Sequence, residues 1–121
     1  MRILLGMVVL LVGCGGPAHS QSDLDRAKAA LEIALDSWKQ GEGAAKLRSR
    51  PEPITFVDDD QKTGHKLVAY EWDGTGATDR EMIRFTVKLS VQDRKGKKME
   101  RSTTYAVALK NPIAIGRDPY F

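Results

Sequence analysis

Ile83-Arg84-Phe85-Thr86-Val87-Lys88-Leu89-Ser90-Val91-Gln92 alternates apolar and polar residues without a break. Side chains of a strand point to opposite faces in turn. The alternation therefore predicts a buried face of Ile83, Phe85, Val87, Leu89 and Val91, with Arg84, Thr86, Lys88, Ser90 and Gln92 facing water. That pattern belongs to a half-buried antiparallel strand. Asp93-Arg94-Lys95-Gly96-Lys97 then turns the chain. Thr103, Tyr105, Val107 and Leu109 alternate in their turn with Ser102, Thr104, Ala106 and Ala108. Two such strands across a Gly-containing turn make a hairpin.

Further strand signals lie on either side of this hairpin. Ile54-Thr55-Phe56-Val57 reads as a short strand. Lys66 to Trp72 reads as another, with Val68, Tyr70 and Trp72 on one face and Leu67, Ala69 and Glu71 on the other. Asp58 to Gly64 is a polar turn between them, and Asp73-Gly74-Thr75-Gly76 is a loop. Asn111-Pro112 ends the hairpin, and Ile113-Ala114-Ile115 adds a short terminal strand. Upstream, Pro51-Glu52-Pro53 forbids helix, and the basic stretch Ala44 to Arg50 has no decisive pattern.

Before the strands the period changes. Leu24, Ala27, Leu31, Leu35 and Trp38 recur at spacings of three and four, which is one apolar helical stripe. Ser22-Asp23-Leu24-Asp25 has capping-box form, so a helix is predicted from about Asp23 to Lys39. Lys28 and Glu32 form an i,i+4 opposite-charge pair on its wet side. Gly41 and Gly43 supply the stop, and Ile33 is predicted to point away from the stripe. One helical stripe and one apolar sheet face need each other. Residues 22–121 are therefore predicted to form a single α+β domain, a curved antiparallel sheet of four to five strands wrapped on the long helix. The order of elements and the segment Trp38-Lys39-Gln40-Gly41 resemble the cystatin-like and NTF2-like superfolds. With one clear helix, the cystatin-like layout fits better.

The chain opens with Met1 and Arg2, then the apolar run Ile3 to Val12, then Gly13, Cys14, Gly15 and Gly16. A charged start, a short apolar run and small residues form the layout of a secretory signal peptide. The run falls short of the roughly 20 apolar residues a spanning helix needs. Leu11-Val12-Gly13-Cys14 resembles the lipobox of bacterial lipoproteins. The resemblance implies lipid on the Cys14 thiol and cleavage before it. Residues 1–13 are then the signal peptide, and residues 14–21 carry the lipid and a small, polar tether that includes His19. It also implies export and attachment to the cell envelope. Gly15 after the Cys points to an outer membrane facing the periplasm where the host has one.

The 121 residues suffice for one domain, and a net charge of +3 is no nucleic-acid footprint. One Cys leaves no intramolecular disulfide and no multi-Cys zinc site. Asp58-Asp59-Asp60 near His65 has cation-ligand chemistry. Lys62 sits where a ligand is needed and no Glu closes the loop, so this segment is predicted to be a solvated turn holding no metal. His65 is predicted to lie at the surface. Arg94, Lys95, Lys97 and Lys98, with Arg101, make a basic hairpin end, joined along the strands by Lys88 and Lys110. Such an end can meet anionic lipid head groups. Tyr70, Trp72 and Tyr105 on the inner sheet face could line an apolar ligand pocket, but that face offers no evident base. The expected function is a lipid-anchored binding or interaction module with a membrane anchor and an envelope protein partner. No cofactor and no catalysis are expected. A small apolar-ligand carrier is the alternative, and an enzyme on an NTF2-like scaffold a weaker one.

Overall fold

The computed structural model describes residues 21–74, 76–79 and 82–118. The first described element is helix α1, Gln21–Lys39. It begins earlier than its sequence signal, so Ser22 lies inside the helix rather than at its cap. Ala27, Ala30, Leu31, Ala34, Leu35 and Trp38 are buried along one side. Gly41 ends the helix with φ +79. Its N–H donates to the Trp38 carbonyl, and the Glu42 N–H donates to the Ser37 carbonyl. These two bonds satisfy carbonyls that a helix end otherwise leaves open. The undecided stretch folds back as a short helix, α2, Ala44–Arg48. Ile33 and α2 residue Leu47 line one hollow, so Ile33 is half-buried rather than exposed.

The strands are β1 (Ile54–Val57), β2 (Lys66–Trp72), β3 (Ala77–Asp79), β4 (Met82–Gln92), β5 (Lys98–Ala108) and β6 (Ile113–Arg117). They form one sheet in the order β1-β6-β5-β4-β2, with the short β3 also pairing β4. The β4–β5 hairpin runs in unbroken register from Met82↔Ala108 to Gln92↔Lys98. Every apolar residue predicted for the inner face of β4 is buried.

Two sequence expectations are corrected. The sheet is mixed, because β1 runs parallel to β6, pairing Ile54 with Ile113 and Val57 with Gly116. Alternation along a strand says which residues face inward but carries no sign of its neighbour's direction. The faces of β2 are also reassigned. Leu67 pairs Val91 and Ala69 pairs Ser90, which leaves Val68 as a one-residue bulge. The bulge shifts the alternation by one step. Leu67 therefore shares the inner face with Tyr70 and Trp72, while Val68 is 39% exposed.

The sheet curls as a half-barrel, and α1 packs with it in a common core. Leu31 and Leu35 are buried with Val87, Leu89, Val91, Val107, Ile113 and Ile115. Each such side chain contributes about 1.5–3 kcal/mol before ordering costs. Gln21, Leu24 and Lys28 at the start of α1 line a hollow with Gly76 and Phe85. Trp38 at its other end donates an indole hydrogen bond to the His65 carbonyl at 2.9 Å. The helix thus runs from the open end of the β4–β5 hairpin toward its turn, a length of about 28 Å. Among the described residues, no helix is long and apolar enough to cross a membrane.

Candidate functional site

The segment expected to be a solvated turn buries two of its acids, Asp58 and Asp60, while Asp59, Lys62, Thr63 and Gly64 stay exposed. Asp59–Lys62 form one helical turn, α3, capped by Asp58. Asp58 Oδ1 accepts from the backbone N–H of Asp60 (2.8 Å) and Gln61 (3.1 Å). Asp58 is only 1% exposed. Its Oδ2 accepts from the Tyr105 hydroxyl and from Arg117 Nε at 2.9 Å, and Arg117 Nη2 reaches Oδ1 at 3.0 Å. Arg117 Nη2 also donates to Asp60 Oδ2 at 2.8 Å, and Arg101 Nε stands 2.9 Å from the same oxygen. His65 Nδ1 meets Asp60 Oδ1 at 2.8 Å. Two carboxylates thus face two guanidinium groups, the arrangement a buried charge requires.

The protonation states follow from these contacts. Burial works to raise the Asp60 carboxyl, but hydrogen bonds from Arg117 and His65, with the charges of Arg117 and Arg101, hold it below the ordinary 3.8. Burial, then the charge and hydrogen bond of Asp58, push the Tyr105 hydroxyl far above the tyrosine range, so it remains a donor. Burial disfavours the Arg117 charge, but Asp60 and Asp58 more than offset this and raise it. The oxygens of Asp58 and Asp60 that could take a cation are occupied by guanidinium donors and, at Asp60 Oδ1, by His65. Among the described residues, no group of three or more His, Cys, Asp and Glu is placed to hold a metal ion.

His65 divides two concave surfaces at the turn end of the molecule. On one side lies a cleft of about 580 Å³ between the end of α1, residues 41–44 and the α3–β2 loop. Lys39, Lys62 and Lys66 line it with Trp38, Glu42 and His65. Glu42 is already engaged, accepting from Lys46 at 3.1 Å and Ser37 at 3.0 Å. On the other side a hollow of about 500 Å³ is lined by Thr63, His65, Asp93, Arg94 and Lys95. Gly64 sits at φ +91, and a Cβ there would lie 2.6 Å from Arg94 Nε. The missing side chain lets Arg94 lie over the loop and brings the hairpin turn against it.

The residues singled out in the sequence are dispersed. Tyr70 and Trp72 stand together, edge to face at 6.0 Å, with the Tyr70 hydroxyl donating to Asp36 at 2.8 Å. Burial, then Asp36, raises the Tyr70 hydroxyl well above the usual range. Trp72 also packs edge-on to Phe85, and Lys28 lies over its ring. Tyr105 is elsewhere, fully buried, with its ring against Phe56. Arg94, Lys95, Lys97 and Lys98 are exposed at or beside the turn, whereas Arg101 is drawn to Asp60. Lys88 lies along β4 opposite Glu71. Lys110 follows the far end of β5, so it does not extend the basic end. Cys14, His19 and the rest of the tether up to residue 20 lie outside the described residues, and Gln21, expected to close the tether, is the first residue of α1.

No protein-family model, no curated protein and no solved structure matches the chain. The site therefore rests on its own geometry. Asp58-Asp59-Asp60-Gln61 carried a legible signal, since an acid three residues before Gln is a helix-start pattern. Arg117, 59 residues from Asp58, had none.

Proposed function

We propose that the protein is a lipid-anchored cell-envelope lipoprotein whose α+β domain is a non-enzymatic binding or interaction module. The observation that carries the anchor is Leu11-Val12-Gly13-Cys14 behind a charged start and a ten-residue apolar run. Acylation of Cys14 with two or more chains would hold the domain stably at a membrane. That membrane would be the outer one, with the domain in the periplasm, in a diderm host. Element order and Trp38-Lys39-Gln40-Gly41 support a scaffold of the cystatin-like or NTF2-like kind. Two features support a binding role. The inner sheet face is packed with aliphatic and aromatic side chains, and the turn end carries concave surfaces rimmed by cations. An envelope protein partner would be met at that end.

The test is expression of the full chain in a bacterium supplied with labelled palmitate. The label should enter the protein and be lost in Cys14→Ala, which should leave the membrane fraction. A Cys14→Ala protein that stays with membranes would overturn the reading.

A further inference from the structure

We propose that the cleft between the C-terminal ends of α1 and α3 binds the carboxylate or phosphate group of a small ligand arriving from solution. Lys39 comes from the end of α1, Lys62 from the end of α3 and Lys66 from the start of β2. Three separate elements thus bring like charges to one concavity. Among the described residues none of these lysines has an ion-pair partner; Lys39 alone has a further contact, lying over the Tyr70 ring. The single acid of the lining, Glu42, is held by Lys46 and Ser37 and does not neutralise them. All three lysines are exposed, so the attraction they offer an anion together is that of a surface cluster and weakens with salt.

The walls are also fixed before any ligand arrives. The Trp38 indole pins the His65 carbonyl, and Asp60 holds His65 by Nδ1. With Nδ1 donating to Asp60, Nε2 is the acceptor of a neutral ring, so the donors to the anion are the lysines and His65 serves as wall. A cleft whose walls are already ordered loses less on binding. A concave opening of this size suits a small molecule better than the flat plane of a bilayer. Its position agrees, because the cleft lies at the opposite end of α1 from the chain leading to Cys14. Only this choice of source rests on the proposed anchor; the anion site itself does not.

Isothermal titration calorimetry on the full chain in detergent micelles tests the site, with inorganic phosphate and succinate as probes. Both anions should bind. Lys62→Ala/Lys66→Ala should weaken them by about ten-fold, the scale of lost charge-assisted contacts. Lys62→Arg/Lys66→Arg should retain binding. A Lys88→Ala/Lys110→Ala variant removes the same charge away from the cleft and should leave affinity within about two-fold. Silence with both anions, or equal weakening by the two Ala pairs, would overturn the proposal. Vesicles of phosphatidic acid in phosphatidylcholine form the second arm. Vesicle binding lost in Lys62→Ala/Lys66→Ala, with no heat from phosphate or succinate, would reject the soluble ligand in favour of a lipid surface. Loss of the anchor in Cys14→Ala leaves the titration intact, so the two readings fail separately.

Discussion

Asp58 receives hydrogen bonds from two backbone N–H groups, the Tyr105 hydroxyl and two nitrogens of Arg117. Removing it uncaps α3, leaves the buried Tyr105 hydroxyl without its acceptor, and leaves Arg117 only its bond to Asp60. Asp58→Ala should therefore cost about 3–5 kcal/mol, a large share of the stability a domain of this size possesses. Urea unfolding followed by tryptophan fluorescence measures this. In a double-mutant cycle, Arg117→Met should cost less in the Asp58→Ala background than in wild type. Additive costs would show that the pair is not coupled. Asp60 adds a pH dependence. Its carboxyl is held below its ordinary value, so the unfolded chain takes up the proton more readily than the folded one. The stability Asp60 contributes is complete above about pH 4 and is lost as the pH falls through the lowered value. Urea midpoints at pH 7, 5 and 3 should fall mainly in the last step, and more shallowly in Asp60→Asn. An identical acid limb in that variant would disprove the linkage.

At the scale of elements, the clean period of β4 came through unchanged because nothing interrupts its ladder with β5. β2 behaves differently. Its alternation assigned Val68 to the inside, and one inserted residue reversed that. Leu67→Ala should cost about 2–5 kcal/mol, since Leu67 is 3% exposed, and Val68→Ala should stay within about 0.5 kcal/mol. The opposite ranking in urea unfolding would place the bulge elsewhere. Helix α1 shows a milder version of the same limit. Its stripe is where the 3.6 period puts it, but the return of α2 half-covers Ile33, which the stripe alone left outside. A local period describes a segment's own faces and not what the rest of the chain lays against them.

Over the whole molecule, the two ends differ in character. The start of α1 stands beside Phe85 and Gly76, and the cationic clefts flank His65 at the other end. A chain anchored through its N-terminus would be held by one end and would present the other. The sequence by itself determined the helix and its buried stripe, the β4–β5 hairpin, the inner residues of β4, those of β5 at Thr103, Tyr105 and Val107, and the α+β class. Each is a property of side-chain period and turn chemistry over a few neighbouring residues, which covalent geometry imposes. Only the tertiary structure decided that β1 runs parallel to β6, that Asp58 and Asp60 are buried against Arg117 and Arg101, and that three lysines converge beside His65. These depend on contacts between residues far apart in the chain. Such contacts leave no mark on local composition and exist only once burial has made an unpaired charge too costly to leave alone.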